Sequence, residues 1–357
     1  MPTMSIAEAL RMALRLLRWL GERPSQAPDG PDGLAGLAAC YAAQGAWADR
    51  ARHFLAAGDG HPDLQSSYVA LLRRLREVRE EENRAFARAL AGWTEAGAAG
   101  AGVLPIERLL DEVVVPLARS HRVLLVVLDG ASRAVACELY EDLVARGWVR
   151  RRPADRPLAP VLATVPSVTE VSRASLLSGR LVRGQSDLEK ADFKQHPGLR
   201  SVSPADRPPL LHHKPDLLEG SASALKEEVA ARIAGDRYRV LGVVINAVDD
   251  FLGKDDQLEP GWDLDTVRPL SALLDHARDA GRVVVLASDH GHVLEWEGTI
   301  RSAQDGGERW RTPATPPGPG EVLIRGPRVL GREASEVVVP YSEAFRYSPR
   351  KCGYHGG

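Results

Sequence analysis

Three places in this chain put chemically capable side chains at the ends of apolar runs. Residues 123–128 are apolar throughout and lead into Asp129 and Gly130. Residues 283–287 lead into Ser288-Asp289-His290-Gly291-His292. Between them, the run 160–165 breaks at Pro166, and Thr169 stands just before a helix-like segment, 172–178, that stops at Gly179. Short apolar runs bounded by Gly, Pro or polar residues read as buried parallel strands. In open α/β sheets, ligands bind beyond the carboxyl ends of such strands. Two carboxylates, a hydroxyl and an imidazole meeting there form an oxygen and nitrogen donor set suited to zinc or manganese. A hydroxyl at a strand-to-helix turn also meets the unsatisfied N–H groups and the positive dipole end of the helix, which favour an anion. The competing reading is plain capping, with Thr169 or Ser172, and likewise Asp129, serving a helix start.

A fourth run, 240–248, ends on Asp249 and Asp250. Transfer at phosphorus needs charge neutralisation around the phosphoryl oxygens and an activated nucleophile, and two metals held close together supply both. The acidic strand ends and the histidines fit that demand.

The elements Asp129-Gly130, Thr169-Glu170-Val171-Ser172-Arg173 and Ser288-Asp289-His290-Gly291, in this order, resemble the alkaline phosphatase superfamily. Within it, the chain resembles the PglZ family of bacterial phage-exclusion (BREX) systems, over roughly Leu104 to Gly357. Residues 172–179 are similar to the segment that follows the sulfatase nucleophile, and ten residues before Gly179 stands Thr169. Phosphodiesterases of the superfamily carry threonine there, whereas sulfatases carry a modified cysteine.

The resemblance implies a metal-dependent phosphodiesterase acting in phage defence on a nucleic acid or nucleotide. Its cofactors would be two divalent ions, zinc first and manganese second. Asp129, Thr169, Asp289 and His290 would hold one ion, and Asp249 and His355 the other. Thr169 would be the nucleophile. Ser172 would donate its hydroxyl or backbone N–H to a phosphate oxygen. Arg173 would clamp the phosphate, unless it pairs with a neighbouring acid. One departure stands out: four residues after Asp249 the related enzymes usually have His, and here that position is Gly253. Asp250 or His292 could substitute, so one metal site is expected to be tighter than the other. The alternative is a scaffold without chemistry that binds other defence-system proteins through its helical N-terminal part.

Around these residues the chain reads as α/β: a mostly parallel sheet sandwiched by helices, preceded by an all-helical segment. Helical periodicity covers 6–20, 35–57 and 68–93, giving a helical domain over 1–100. The small-residue stretch 96–102 is the linker, and the α/β domain runs over 104–357. Residues 184–219 form a long polar stretch carrying Lys190, His212 and His213. It reads either as a surface excursion or as a cap over the site, and the resemblance favours the cap. The 357 residues, 44% hydrophobic and 26% charged, suit one large domain and a smaller one. A net charge of −2 supplies no global basic field to recruit nucleic acid. Three dispersed cysteines form no Cys-x-x-Cys pair, which points to a reducing, cytoplasmic setting. No apolar run reaches the roughly 20 residues of a membrane span.

Overall fold

The computed structural model describes residues 6–22, 33–57, 61–97, 102–152, 158–218, 225–246, 248, 251, 261–294, 298–303, 305–349 and 353–356. The first part is helical: α1 (Ile6–Glu22), α2 (Gly33–Cys40), α3 (Ala46–Ala57) and α4 (Pro62–Glu95). Ala9, Met12, Ala13 and Leu16 line one face of α1 at helical spacing and pack with Ala51, Leu55 and Leu75. Toward the end of α4, Leu90 and Ala91 pack on Ile324 and Val337 of the C-terminal region. Arg52 Nη1 donates to Glu343 Oε2 at 2.6 Å across the same interface. The helical segment is thus joined to the α/β part by apolar contact and by buried charge. Among the described residues no helix is long and apolar enough to cross a membrane.

The α/β part begins with α5 (Val115–Ser120), β1 (Val123–Leu128), α6 (Arg133–Ala145) and α7 (Thr169–Ser178). It continues with α8 (Ser186–Gln195), α9 (Pro197–Val202), β2 (Leu210–His212) and α10 (Glu227–Ala234). Then come β3 (Val240–Ile245), α11 (Leu270–Asp279) and β4 (Val283–Ser288). The sheet order is β2-β3-β1-β4, all parallel. Successive residues of β1 point to opposite faces. Leu124, Val126 and Leu128 pack with Val135, Leu139 and Leu273 on one side. Val123, Leu125 and Val127 pack with Ala118, Leu176 and Leu177 on the other. Both faces are covered, so the uninterrupted apolar runs have their expected cause.

Three local expectations change. β4 is an edge strand and only half-buried, with Leu286 36% exposed. The run 160–165 is not a strand of this sheet. Val161–Leu162 pairs with Leu104–Pro105 and Val165 bridges Val329, both outside this sheet, and Pro160 and Pro166 cannot donate to a ladder. Residues 184–218 are not a bare surface excursion. They supply α8, α9 and β2, and Phe193, Leu199 and Leu211 sit in the core of the sheet. Few but well-placed apolar residues suffice for that, and the surrounding charges mask them in the sequence.

Beyond β4 lie β5 (His292–Leu294), β6 (Glu321–Arg325), β7 (Glu336–Pro340) and β8 (Gly353–His355). β6 and β7 form an antiparallel pair, and β8 pairs antiparallel with β5, setting His355 opposite His292.

Gly179 ends α7 with φ +67, and a Cβ there would come within 2.2 Å of His196 Nε2. Backbone sign and space both require glycine. Gly179→Ala is therefore expected to cost about 2–5 kcal/mol, from the left-handed backbone and the displaced, buried His196. Denaturant unfolding of the two chains measures it, and a loss below about 0.5 kcal/mol would refute the packing argument.

Candidate metal centre

The parallel register sets Leu128, Ile245 and Ser288 side by side. The next residues, Asp129, Asn246 and Asp289, therefore emerge together at the carboxyl edge. Asp129 and Asp289 are fully buried, and His290 is 4% exposed. His290 Nε2 lies 3.7 Å from Asp129 Oδ1 and 3.5 Å from Asp289 Oδ2. Among the described residues, these three form a cluster whose ligand atoms all lie within 4.8 Å of one another.

Thr169 reaches the cluster by a different route. It is the first residue of α7, and the helix cap is Val168, without a side-chain bond. Its hydroxyl turns to the cluster instead. Thr169 Oγ1 is 3.3 Å from Asp129 Oδ1 and 3.0 Å from His290 Nε2. The capping reading fails because the hydroxyl serves no helix N–H.

Gly130, at φ +72, bends the chain after β1. Its N–H donates to Asp289 Oδ1 at 3.1 Å, and its carbonyl meets His292 Nδ1 at 2.7 Å. His292 thereby ties β5 to the site floor. Burial, with His290 and His355 and against the hydrogen bond to the Gly130 carbonyl, brings its pKa down to about 4, so it is neutral.

Ser172 and Arg173, expected at a phosphate, are both engaged by protein groups. Ser172 is fully buried; its hydroxyl donates to the Asp289 carbonyl and accepts from Thr164 N at 3.3 Å. Its N–H bonds the Val168 carbonyl at 2.7 Å. Both of its donors are engaged, and its hydroxyl holds the Asp289 backbone. Arg173 pairs with neighbouring acids. Its Nη1 donates to Asp129 Oδ2, and its Nε to both oxygens of Glu189 at 3.1 and 3.2 Å. Glu189 is fully buried and lies 3.2 Å from His213 Nε2. Burial disfavours the Arg173 charge, yet Asp129, Glu189 and Asp289 outweigh it and raise its pKa. Burial brings the His213 pKa down to about 4, and the Arg173 charge works in the same direction.

Asn246 and Glu189 are the residues that sequence reasoning missed, and His213 was noted only as part of the 184–219 stretch. Asn246 Nδ2 donates to Asp129 Oδ2 at 2.6 Å. Its signal was available: it follows β3 directly, as Asp129 follows β1. Glu189 carries no local signal, since it stands among ordinary surface-type charges.

His355 comes close but stays outside the cluster. Its ring packs edge-on to His290, with centroids 5.2 Å apart. Its backbone N–H donates to Glu308 Oε2 at 2.8 Å. Asp249, assigned with His355 to a second ion, lies outside the described residues, as do Asp250 and Gly253.

The donor set fits a divalent cation on two grounds. Among the described residues Asp289 Oδ2 is buried and accepts no hydrogen bond, whereas Oδ1 accepts one from the Gly130 N–H. Burial, and then the Asp129 charge, pushes the Asp289 carboxyl well above the usual range. Two buried carboxylates this close hold either a shared proton or a cation.

A parallel, helix-covered sheet with an acidic and imidazole cluster at its carboxyl edge is an alkaline phosphatase-like architecture. The model of the BREX system PglZ alkaline phosphatase-like domain matches residues 109–306, more than half of the chain. The chain belongs to the PglZ family. Nothing among curated proteins matches it.

Proposed function

We propose that this chain is a metal-dependent phosphoric ester hydrolase that cleaves phosphodiesters with Thr169 as nucleophile. The observation that carries this reading is the position of Thr169 Oγ1 within 3.3 Å of both Asp129 and His290, at a cluster of metal-type ligands. Asp129, Thr169, Asp289 and His290 would hold the cation, zinc or manganese by donor type. When bound, it would lower the pKa of a coordinated hydroxyl and neutralise charge on phosphoryl oxygens. A second ion on Asp249 and His355 belongs to the same reading.

The chain's own residues supply orientation. Asp129 and His290 fix the Thr169 hydroxyl and offer acceptors for its proton. Arg173 and Asn246 hold Asp129 Oδ2, which turns Oδ1 toward Thr169. Attack of Oγ1 on phosphorus forms the new O–P bond as the leaving alkoxide departs and takes up a proton. Water then attacks the same phosphorus, the threonine O–P bond breaks, and the phosphate monoester that keeps the second ester group leaves as Oγ1 regains a proton. A nucleotide or nucleic acid substrate, other phage-defence proteins as partners, and a cytoplasmic setting complete the proposal.

Calorimetric titration with Zn²⁺ or Mn²⁺ is expected to give one tight site, with proton release as Asp289 ionises. Asp289→Asn should weaken it about 100-fold or more. No binding, or binding indifferent to Asp289, would leave a non-catalytic scaffold as the better account.

A further inference from the structure

A second charged feature lies at the opposite, amino end of the sheet. A cleft of about 570 Å³ opens between the end of α5, the residues after α9 and the turn that enters β3. Arg119, Arg122, Arg237 and Arg239 line it, against one carboxylate, Asp236. Strands β1 and β3 separate it from Asp129, about 20 Å for six residues of extended chain. It is therefore not part of the metal centre.

The four arginines fall into two pairs. Arg122 Nη2 donates to the Ala280 carbonyl, and Arg239 Nε to the Ala118 carbonyl, each at 2.5 Å. Arg122 Nη1 also donates to the Gly235 carbonyl at 3.5 Å and Arg239 Nη2 to the Arg119 carbonyl at 2.7 Å, so these two guanidinium groups are fixed and part of their donors is taken up by backbone. Arg119 and Arg237 are exposed, and among the described residues their side chains make no hydrogen bond or ion pair. Asp236 is likewise unpaired among the described residues. Four like charges crowd one cleft in a chain whose net charge is −2.

We propose that this cleft binds a small anion carrying two or more phosphate groups. Guanidinium forks match phosphate oxygens bidentately. The volume is that of a small-molecule site. Arg119 and Arg237 supply the free forks, while Arg122 and Arg239, already held by backbone carbonyls, add fixed positive charge at little further loss of side-chain freedom. No aromatic side chain lines the cleft, so it lacks the stacking platform of a single-stranded nucleic acid groove. Inorganic tripolyphosphate and a nucleoside triphosphate share the required chemistry, and both serve as probes.

The test is calorimetry on the full chain without divalent metal, titrated with tripolyphosphate and separately with ATP. One site is expected, for which the two compete, weakening as salt rises. The double variant Arg119→Ala/Arg237→Ala should bind at least about tenfold more weakly. Both side chains are exposed, so its melting temperature should match the wild type. Arg119→Lys/Arg237→Lys should fall between the two, because charge is kept and the fork is lost. Asp289→Asn should bind both anions as the wild type does. Unchanged affinity in the double alanine variant would overturn the proposal. So would loss of binding in Asp289→Asn, or binding of an oligonucleotide without binding of tripolyphosphate. Tripolyphosphate binding without ATP binding would support it and narrow the ligand to inorganic polyphosphate.

Discussion

Thr169→Ala is expected to lower metal-dependent hydrolysis of bis-nitrophenyl phosphate by about 10³-fold or more. Its melting temperature without metal should barely move. The substitution removes the hydroxyl that lies 3.0 Å from His290 Nε2 and 3.3 Å from Asp129 Oδ1. It removes no capping bond, since the cap of α7 is Val168. A capping threonine would give the opposite pattern, about 1 kcal/mol of lost stability with activity kept. Thr169→Ser should retain part of the activity, because a primary hydroxyl fills the same place. Release of nitrophenol by the three chains, with metal added, is the measurement. Full activity in Thr169→Ala would end the nucleophile assignment.

Arg173→Ala is expected to destabilise the fold by about 3–5 kcal/mol, the usual effect of removing one partner from a buried ion pair. Arg173 lies between two fully buried carboxylates, Asp129 and Glu189. Without it, neither has a neutralising cation. Burial already raises the Glu189 pKa against the pull of Arg173, and removing the arginine raises it further. Folded Glu189 then holds a proton over a pH range in which the unfolded chain has lost it. Stability falls as pH rises through that range, so the deficit should be larger at pH 8 than at pH 5. Glu189→Gln keeps the shape, removes one charge and should cost less. Activity should fall in Arg173→Ala as well, because Asp129 Oδ2 loses a tether. Urea unfolding at the two pH values measures the effect; a deficit independent of pH would contradict the buried-pair account.

Much of this site could be read directly. Asp129 and Asp289 each follow an apolar run, and the strand register sets them side by side. His290 is next in sequence to Asp289 and shares its position. Thr169 was legible by its place before α7, though the strand imagined to deliver it is absent from the sheet. Arg173 was legible as a charge near the site, with a phosphate clamp and a pair with a neighbouring acid both open. Whether an arginine meets a substrate or an acid depends on what packs over it, and Glu189 comes from a helix in a stretch that reads as polar excursion.

By itself the sequence determined the strands β1 and β3, the helices that alternate with them, and the acidic and imidazole residues at the strand ends. These follow from local causes: uninterrupted apolar runs that require burial on both faces, and turn residues that end them. Only the tertiary structure decided that 184–219 builds an edge of the sheet, that Ser172 faces inward, and that Asn246, Glu189 and His213 support Asp129. Those outcomes depend on which distant segments meet. Pairing partners, burial of a charge and the direction of a hydroxyl are properties of contacts between segments, and local periodicity does not encode them.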